Sequence, residues 1–165
     1  MARNVFFSFH FNNDAWRASQ VRNMGVIEGN RPVSDNDWEA VKKGGDPAIE
    51  KWIDDQMSGK SCAVVLVGSQ TAQRKWVLRE IVKAWDKGKG VVGIRIHNLK
   101  DELKNTSVAG ENPFFSVGHG NTGKKLASIV NLYNPSGSDS SAVYATIQTN
   151  IDGWVEEAIK IRANN

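Results

Sequence analysis

The sequence predicts an α/β fold in which a flavodoxin-like parallel sheet carries helices on both faces. Three observations point there. The segment CAVVLVG (62–68) is a continuous apolar run, as a strand buried on both faces of a parallel sheet should be. Two further short apolar runs, NVFFSF (4–9) and VVGIRI (91–96), share that character. Between the three runs lie segments with helical periodicity and short connections, an alternation that builds parallel sheets.

The chain has 165 residues, enough for one domain, so residues 1–165 are read as a single unit. Hydrophobic residues make up 40% and charged residues 24%, a balance that argues against disorder. No apolar run is long enough for a membrane span, and MARNVFFSFHF lacks a small-residue cleavage site, so neither a membrane nor secretion is expected. Cys62 is the one cysteine, inside an apolar run, where an inert buried thiol in a reducing cytoplasm fits best. The net charge of +3 is spread along the chain, which suits an anionic small molecule better than nucleic acid.

The first strand is expected over residues 4–9. Asn12, Asn13 and Asp14 offer capping side chains for a helix AWRASQVRNM that ends near Gly25. Residues 26–45 read as loop, with Trp38 its notable apolar member. Asp46 before Pro47 signals a helix start, Ile49, Trp52, Ile53 and Met57 recur at helical spacing, and Gly59 supplies the stop. The strand 62–68, a helix and the strand 91–96 follow. FFSV (114–117) and IVNLY (129–133) are expected strands and NPSGSDSS (134–141) a loop. A last helix is expected from Asn150, with Ile151, Trp154, Val155, Ala158 and Ile159 as its apolar face.

The helix after the second strand has an informative phase. At about 100° per residue, Val77, Ile81, Ala84 and Trp85 form one stripe, and Lys75, Arg79 and Lys83 lie on the opposite side as a solvated basic face. Arg74 would fall within the apolar stripe, so the helix should begin near Lys75, leaving SQTAQR as a loop at the carboxyl edge of the sheet. Ligands bind at that edge in open parallel sheets. Glu80 falls beside Trp76 at the margin of the stripe. Spacing alone also allows an ordinary edge carboxylate paired with Lys83 or Arg79.

Two motifs go further. Val5-Phe6-Phe7-Ser8-Phe9-His10, followed by Asp14, resembles the opening strand and loop of TIR domains. Trp76-Val77-Leu78-Arg79-Glu80, after a hydrophobic strand and Ser69, is similar to the TIR WxxxE signature. RNVFFSFHF, VRN (21–23), CAVVLVGSQTAQRKWVLREI and GENPF (110–114) together resemble the ThsB-type TIR-like proteins of the Thoeris anti-phage system, over residues 1 to about 115. Val77 and Phe9 stand where more familiar TIR domains have Cys and Tyr.

That resemblance implies cleavage of NAD at its glycosidic bond, with Glu80 catalytic and a cyclic ADP-ribose signal passed to a partner effector. NAD is then substrate, and no separate cofactor is called for. Ser8, Phe9, His10, Asp14, Arg17, Ser69 and Trp76 are the candidate substrate-binding residues: Phe9 and Trp76 to stack on rings or exclude water, Arg17 or Lys residues near the cleft to face the pyrophosphate. The leading alternative is a non-catalytic TIR-like module that works by assembling with other chains, and a homo-oligomer is compatible with either reading.

Other candidates carry less. Gly118 to Lys124 matches GxxxxGK, but Lys125 replaces the hydroxyl residue that holds Mg²⁺ in a phosphate loop, so a Gly-rich loop is expected. His10, His97 and His119 lack metal-ligand spacing, and no metal site is expected. His10 ends the first strand, where a ligand would come close, and His97 ends another. The six Trp residues are expected mainly on packed helix faces.

Overall fold

The computed structural model describes residues 3–29, 40–120 and 122–165. Trp38 and Asn121 therefore lie outside the described residues. The sheet has five strands: β1 (Asn4–Ser8), β2 (Glu28–Gly29), β3 (Cys62–Val67), β4 (Gly90–Arg95) and β5 (Leu132–Tyr133). Their order is β2-β1-β3-β4-β5, and every pairing is parallel. This is the flavodoxin-like order, whose strand sequence reverses between β1 and β3 and opens a crevice at their carboxyl ends.

Among the described residues, the long helices that cover the sheet are α1 (Phe11–Arg22), α2 (Gly45–Met57), α3 (Lys75–Asp86) and α4 (Ser140–Ala163). Strand residues alternate between two cores, as the pleat requires. Val5, Phe7, Val64, Leu66 and Ile94 pack with α1 and with Val143, Ile147, Ile151 and Val155 of α4. Phe6, Ala63, Val65 and Val67 pack with Ile49, Ile53 and Met57 of α2 and Val77, Ile81 and Ala84 of α3. Fully buried strands leave no polar face, which is why these runs lack alternation in the sequence.

The three long strands and the start of α3 lie where expected. Several other elements differ. Helix α1 begins at Phe11, with His10 as its N-cap and no side-chain cap, so Asn12, Asn13 and Asp14 belong to its first turn. Residues 28–29 form the short edge strand β2, and residues 40–43 are helical, so the stretch read as loop carries structure at both ends. Helix α2 has Gly44 rather than Asp46 as its N-cap.

FFSV is a 3₁₀ turn (Pro113–Ser116), set by Asn112, whose side chain accepts from the Phe114 N–H, and by Pro113 at the first position. Within 129–133 only Leu132–Tyr133 pairs with the sheet. Helix α4 starts ten residues before Asn150: Asp139 is the cap, accepting from Ala142 N–H at 2.9 Å. Asn150 is interior and donates to the Thr146 carbonyl.

The basic face of α3 is engaged with α2. Lys75 pairs with Asp46, Arg79 with Glu50, and Lys83 with both Glu50 and Asp54. Acids and bases each recur every four residues, so one helical face meets another rung by rung. The expectation of three exposed cations holds for Lys75 and Arg79 but not for Lys83, whose side chain is 11% exposed between its two carboxylates. Nor does Glu80 pair with Lys83 or Arg79, because both point into this ladder.

Candidate active site

Glu80 stands on the inner side of α3 and is 8% exposed. Its neighbour is set by strand alternation. Phe6 enters the core beneath α3, and Ser8, two residues on, faces the same way. The Ser8 hydroxyl donates to Glu80 Oε1 at 3.2 Å, joining residues 72 apart in the chain. Burial pushes the Glu80 carboxyl up to about 8, and the Ser8 hydrogen bond opposes that rise only in part. At neutral pH the resting group is therefore mostly protonated.

Above Glu80 lies a cavity of about 470 Å³, within the usual range for small-molecule pockets. It opens at the carboxyl end of β1 beside the β3–α3 connection, where the strand order reverses. Phe9, His10, Phe11, Trp52 and Trp76 supply most of its aromatic wall. Arg22, Lys42, Arg74 and Lys75 add positive charge, whereas Glu80 is the only acidic residue among the lining residues described. Lys75 is tethered to Asp46 at 2.8 Å and lies over the Trp76 ring at 4.8 Å.

The sequence-predicted residues divide into two groups. Phe9, His10, Trp76 and Glu80 line the cavity, and Ser8 sits behind Glu80 as its hydrogen-bond donor. Asp14, Arg17 and Ser69 form a separate cluster beside it. Arg17 is 3% exposed, donates to the carbonyls of Leu99 and Asn105 at 2.8 and 3.0 Å, and bonds Asp14 at 3.1 Å. Asn13 joins Asp14 to Ser69. This guanidinium clamps the loop after β4; the cations in the cavity wall are others. Arg74 was the legible one among them, since helix phase had already placed it in the loop at the ligand edge. Lys42 lies in a stretch read as loop and carried no such signal.

The remaining candidates take structural places. Burial pushes the Cys62 thiol up to about 12, consistent with an inert thiol. His97 is buried away from the cavity, and His119 packs edge-on against Trp85. Gly118 and Lys125 are bridged in antiparallel fashion and lead into a 3₁₀ turn (Leu126–Ser128), not the α-helix that a phosphate loop requires. Among the described residues no group of His, Cys, Asp or Glu is arranged to hold a metal, and no helix is long and apolar enough to cross a membrane. Trp16 departs from the packed-tryptophan expectation, being 54% exposed on α1.

Comparison with known proteins agrees with this geometry. A protein of Bacillus cereus (strain MSX-D12) named "Putative cyclic ADP-D-ribose synthase ThsB1" is 38% identical over 133 residues, covering 76% of this chain and 69% of the relative. The family model described as "Thoeris protein ThsB, TIR-like domain" matches residues 6–101, the span that holds the end of β1, all of α3 and every described residue of the cavity wall. On both findings, the chain belongs to the TIR-like domain family of the Thoeris protein ThsB.

Proposed function

We propose that this protein cleaves the N-glycosidic bond of NAD and returns a cyclic ADP-ribose-type product, a diffusible signal for a downstream effector in anti-phage defence. The observation that carries this reading is Glu80: a buried carboxyl with one hydrogen-bond partner, at the floor of an aromatic cavity with a basic rim. A buried acid whose carboxyl pKa is raised by burial and that faces a cleft is the kind of group active sites are built around. The printed name of the Bacillus cereus relative supports the same product class.

NAD suits this environment. Its nicotinamide is a planar cation that aromatic rings can cover, and its pyrophosphate complements Arg74, Lys42 and Arg22. Entry of the pyridinium beside Glu80 favours the carboxylate form, so the proton leaves as the substrate binds. As the glycosidic bond breaks, nicotinamide departs neutral with the bonding electrons and positive charge builds on the ribose, as in glycoside hydrolysis. The Glu80 carboxylate, held by Ser8 in a largely dry site, stabilises that charge. No cofactor is needed, because NAD is the substrate.

The test is Glu80→Gln, assayed with concentrated protein and in extracts of phage-infected cells. The amide keeps the shape and the Ser8 contact but cannot balance ribose charge. NAD cleavage should fall roughly 10²- to 10³-fold, with a much smaller change in NAD binding. A Gln variant as active as wild type overturns the role of Glu80. If neither protein releases nicotinamide while the wild type still defends cells, an assembly module takes the place of the enzyme. For kcat/KM, cleavage should rise with pH toward a plateau above about 8, because the free enzyme must lose the Glu80 proton.

A further inference from the structure

Glu80 accounts for the charge on the ribose but not for the proton released when the ribose is captured. If a hydroxyl of the same dinucleotide closes the ring, its oxygen bonds to the ribose carbon that nicotinamide has left. The hydroxyl proton must then pass to a base. Glu80 is committed to the developing cation, so a second acceptor on the cavity wall is called for.

We infer that His10 is that base: its imidazole takes the proton of the attacking hydroxyl and so decides whether NAD ends as a cyclic or a linear product. The inference rests on the NAD-cleaving reading above and adds a step to it. Position is the first argument. His10 stands two residues beyond Ser8, and its backbone is still extended (φ −78°, ψ 101°), so its side chain falls on the side of Phe6 and Ser8. One strand repeat, about 6.6 Å, separates it from the residue that holds Glu80. The ring lines the cavity with Glu80, Phe9 and Trp76.

Partnering is the second argument. His10 is the N-cap of α1, yet its side chain makes no capping hydrogen bond. Its Nδ1 is buried and makes no hydrogen bond among the described residues, so no structural partner holds it; His97 and His119 share this feature, but only His10 lines the cavity. Charge is the third. Burial and the Arg74 guanidinium hold the ring below the usual histidine range, against a weaker opposite pull from Asp14. A neutral imidazole is free to accept a proton at physiological pH.

The step balances without a further reactant. The ribose–nicotinamide bond breaks with its electron pair on nicotinamide, the new carbon–oxygen bond takes its pair from the hydroxyl, and the hydroxyl proton moves to His10 and then to water. In a site that loses this base, water competes better for the same cation, and ADP-ribose accumulates.

The experiment compares wild type, His10→Asn, His10→Gln and Glu80→Gln with NAD as the probe, resolving nicotinamide, ADP-ribose and cyclic product by mass spectrometry. Asn is a strong N-cap residue, so His10→Asn should support α1, and a matching result from Gln excludes a capping effect. For both His10 variants the readout is the composition of the product per nicotinamide released, whatever the rate of release. Their ratio of cyclic to linear product should drop about 10²-fold, the lower end of what a positioned base contributes. An unchanged ratio overturns the assignment, as does a wild type that forms only ADP-ribose. Failure of the NAD-cleaving reading looks different: wild type releases no nicotinamide, or Glu80→Gln releases as much as wild type.

Discussion

Two buried acids sit at the carboxyl edge of this sheet, and they differ in company. Asp14 is 1% exposed and shares one oxygen with the Arg17 guanidinium and the Asn13 amide; Arg17 in turn closes two backbone carbonyls of the following loop. Glu80 is nearly as buried, but among the described residues one hydroxyl is its sole hydrogen-bond partner, and its open side is a cavity. In the first arrangement the guanidinium is consumed by Asp14 and by backbone, although Asp14 Oδ2 makes no hydrogen bond among the described residues. The second leaves a carboxyl destabilised in its charged form until something cationic arrives. Sequence alone named Glu80 as the catalytic residue and Asp14 and Arg17 as substrate-binding candidates, and partnering separates them.

The sharpest way to break this comparison is Arg17→Ala. It leaves Asp14 without its buried cation and removes the side-chain donor to the Leu99 and Asn105 carbonyls, and should cost about 3–5 kcal/mol in a denaturation experiment. If stability is unchanged and NAD binding is lost, Arg17 belongs with the substrate after all. Glu80→Gln should do the reverse, with the large loss of rate given above and an intact fold.

A smaller effect links the acid to pH. Because the folded-state pKa of Glu80 is raised from 4.5 to about 8, its contribution to stability is complete below about 4.5, declines as pH rises through that interval, and levels off above about 8. The slope is up to about 1.4 kcal/mol per pH unit. Glu80→Gln should remove it, so the variant gains on wild type between pH 5 and 8. The carboxylates of Glu50, Asp54 and Glu156, held low by their cationic partners, act oppositely and only below the ordinary carboxylate range. Parallel stability curves for the two proteins across pH 5 to 8 would show that Glu80 ionises normally.

The smallest effects distinguish the rungs of the α2–α3 ladder. Lys83→Gln removes the cation between two carboxylates and should cost about 1 kcal/mol, near the top of the surface-pair range. Lys75→Gln, at an exposed pair, should stay under about 0.5 kcal/mol. Equal losses would mean that the partial burial of Lys83 has no energetic weight.

Much of this architecture was legible because fully buried strands leave a plain mark. CAVVLVG has no polar face to hide, and the phase of α3 follows from Val77, Ile81, Ala84 and Trp85. What escaped had no such mark. Glu28 and Gly29 pair through backbone alone at an exposed edge, so no side-chain pattern signals a strand. The first turns of α4 are rich in Ser, Thr and Ala, which read as loop although Asp139 caps them. FFSV failed for the opposite reason: four apolar letters suit a strand, but Asn112 and Pro113 impose a 3₁₀ turn. The site was legible in its chemistry and not in its contacts. Glu80 was singled out by its setting and by resemblance, while its meeting with Ser8 depends on β1 lying beneath α3, which spacing along the chain does not encode.

The ladder between α2 and α3 also works as a ruler. Asp46 meets Lys75, Glu50 meets Arg79 and Asp54 meets Lys83, each pair offset by 29 positions. A small slide of α3 along α2 misaligns every rung at once, whereas a slide of four residues re-forms pairs but carries Glu80 about 6 Å from Ser8. Intermediate heights are therefore disfavoured collectively. The outer face of α3, which reaches the cavity only at Lys75, sets the elevation of the carboxylate on its inner face, and the lone Ser8 hydroxyl need only trim an alignment that three ion pairs have already graduated.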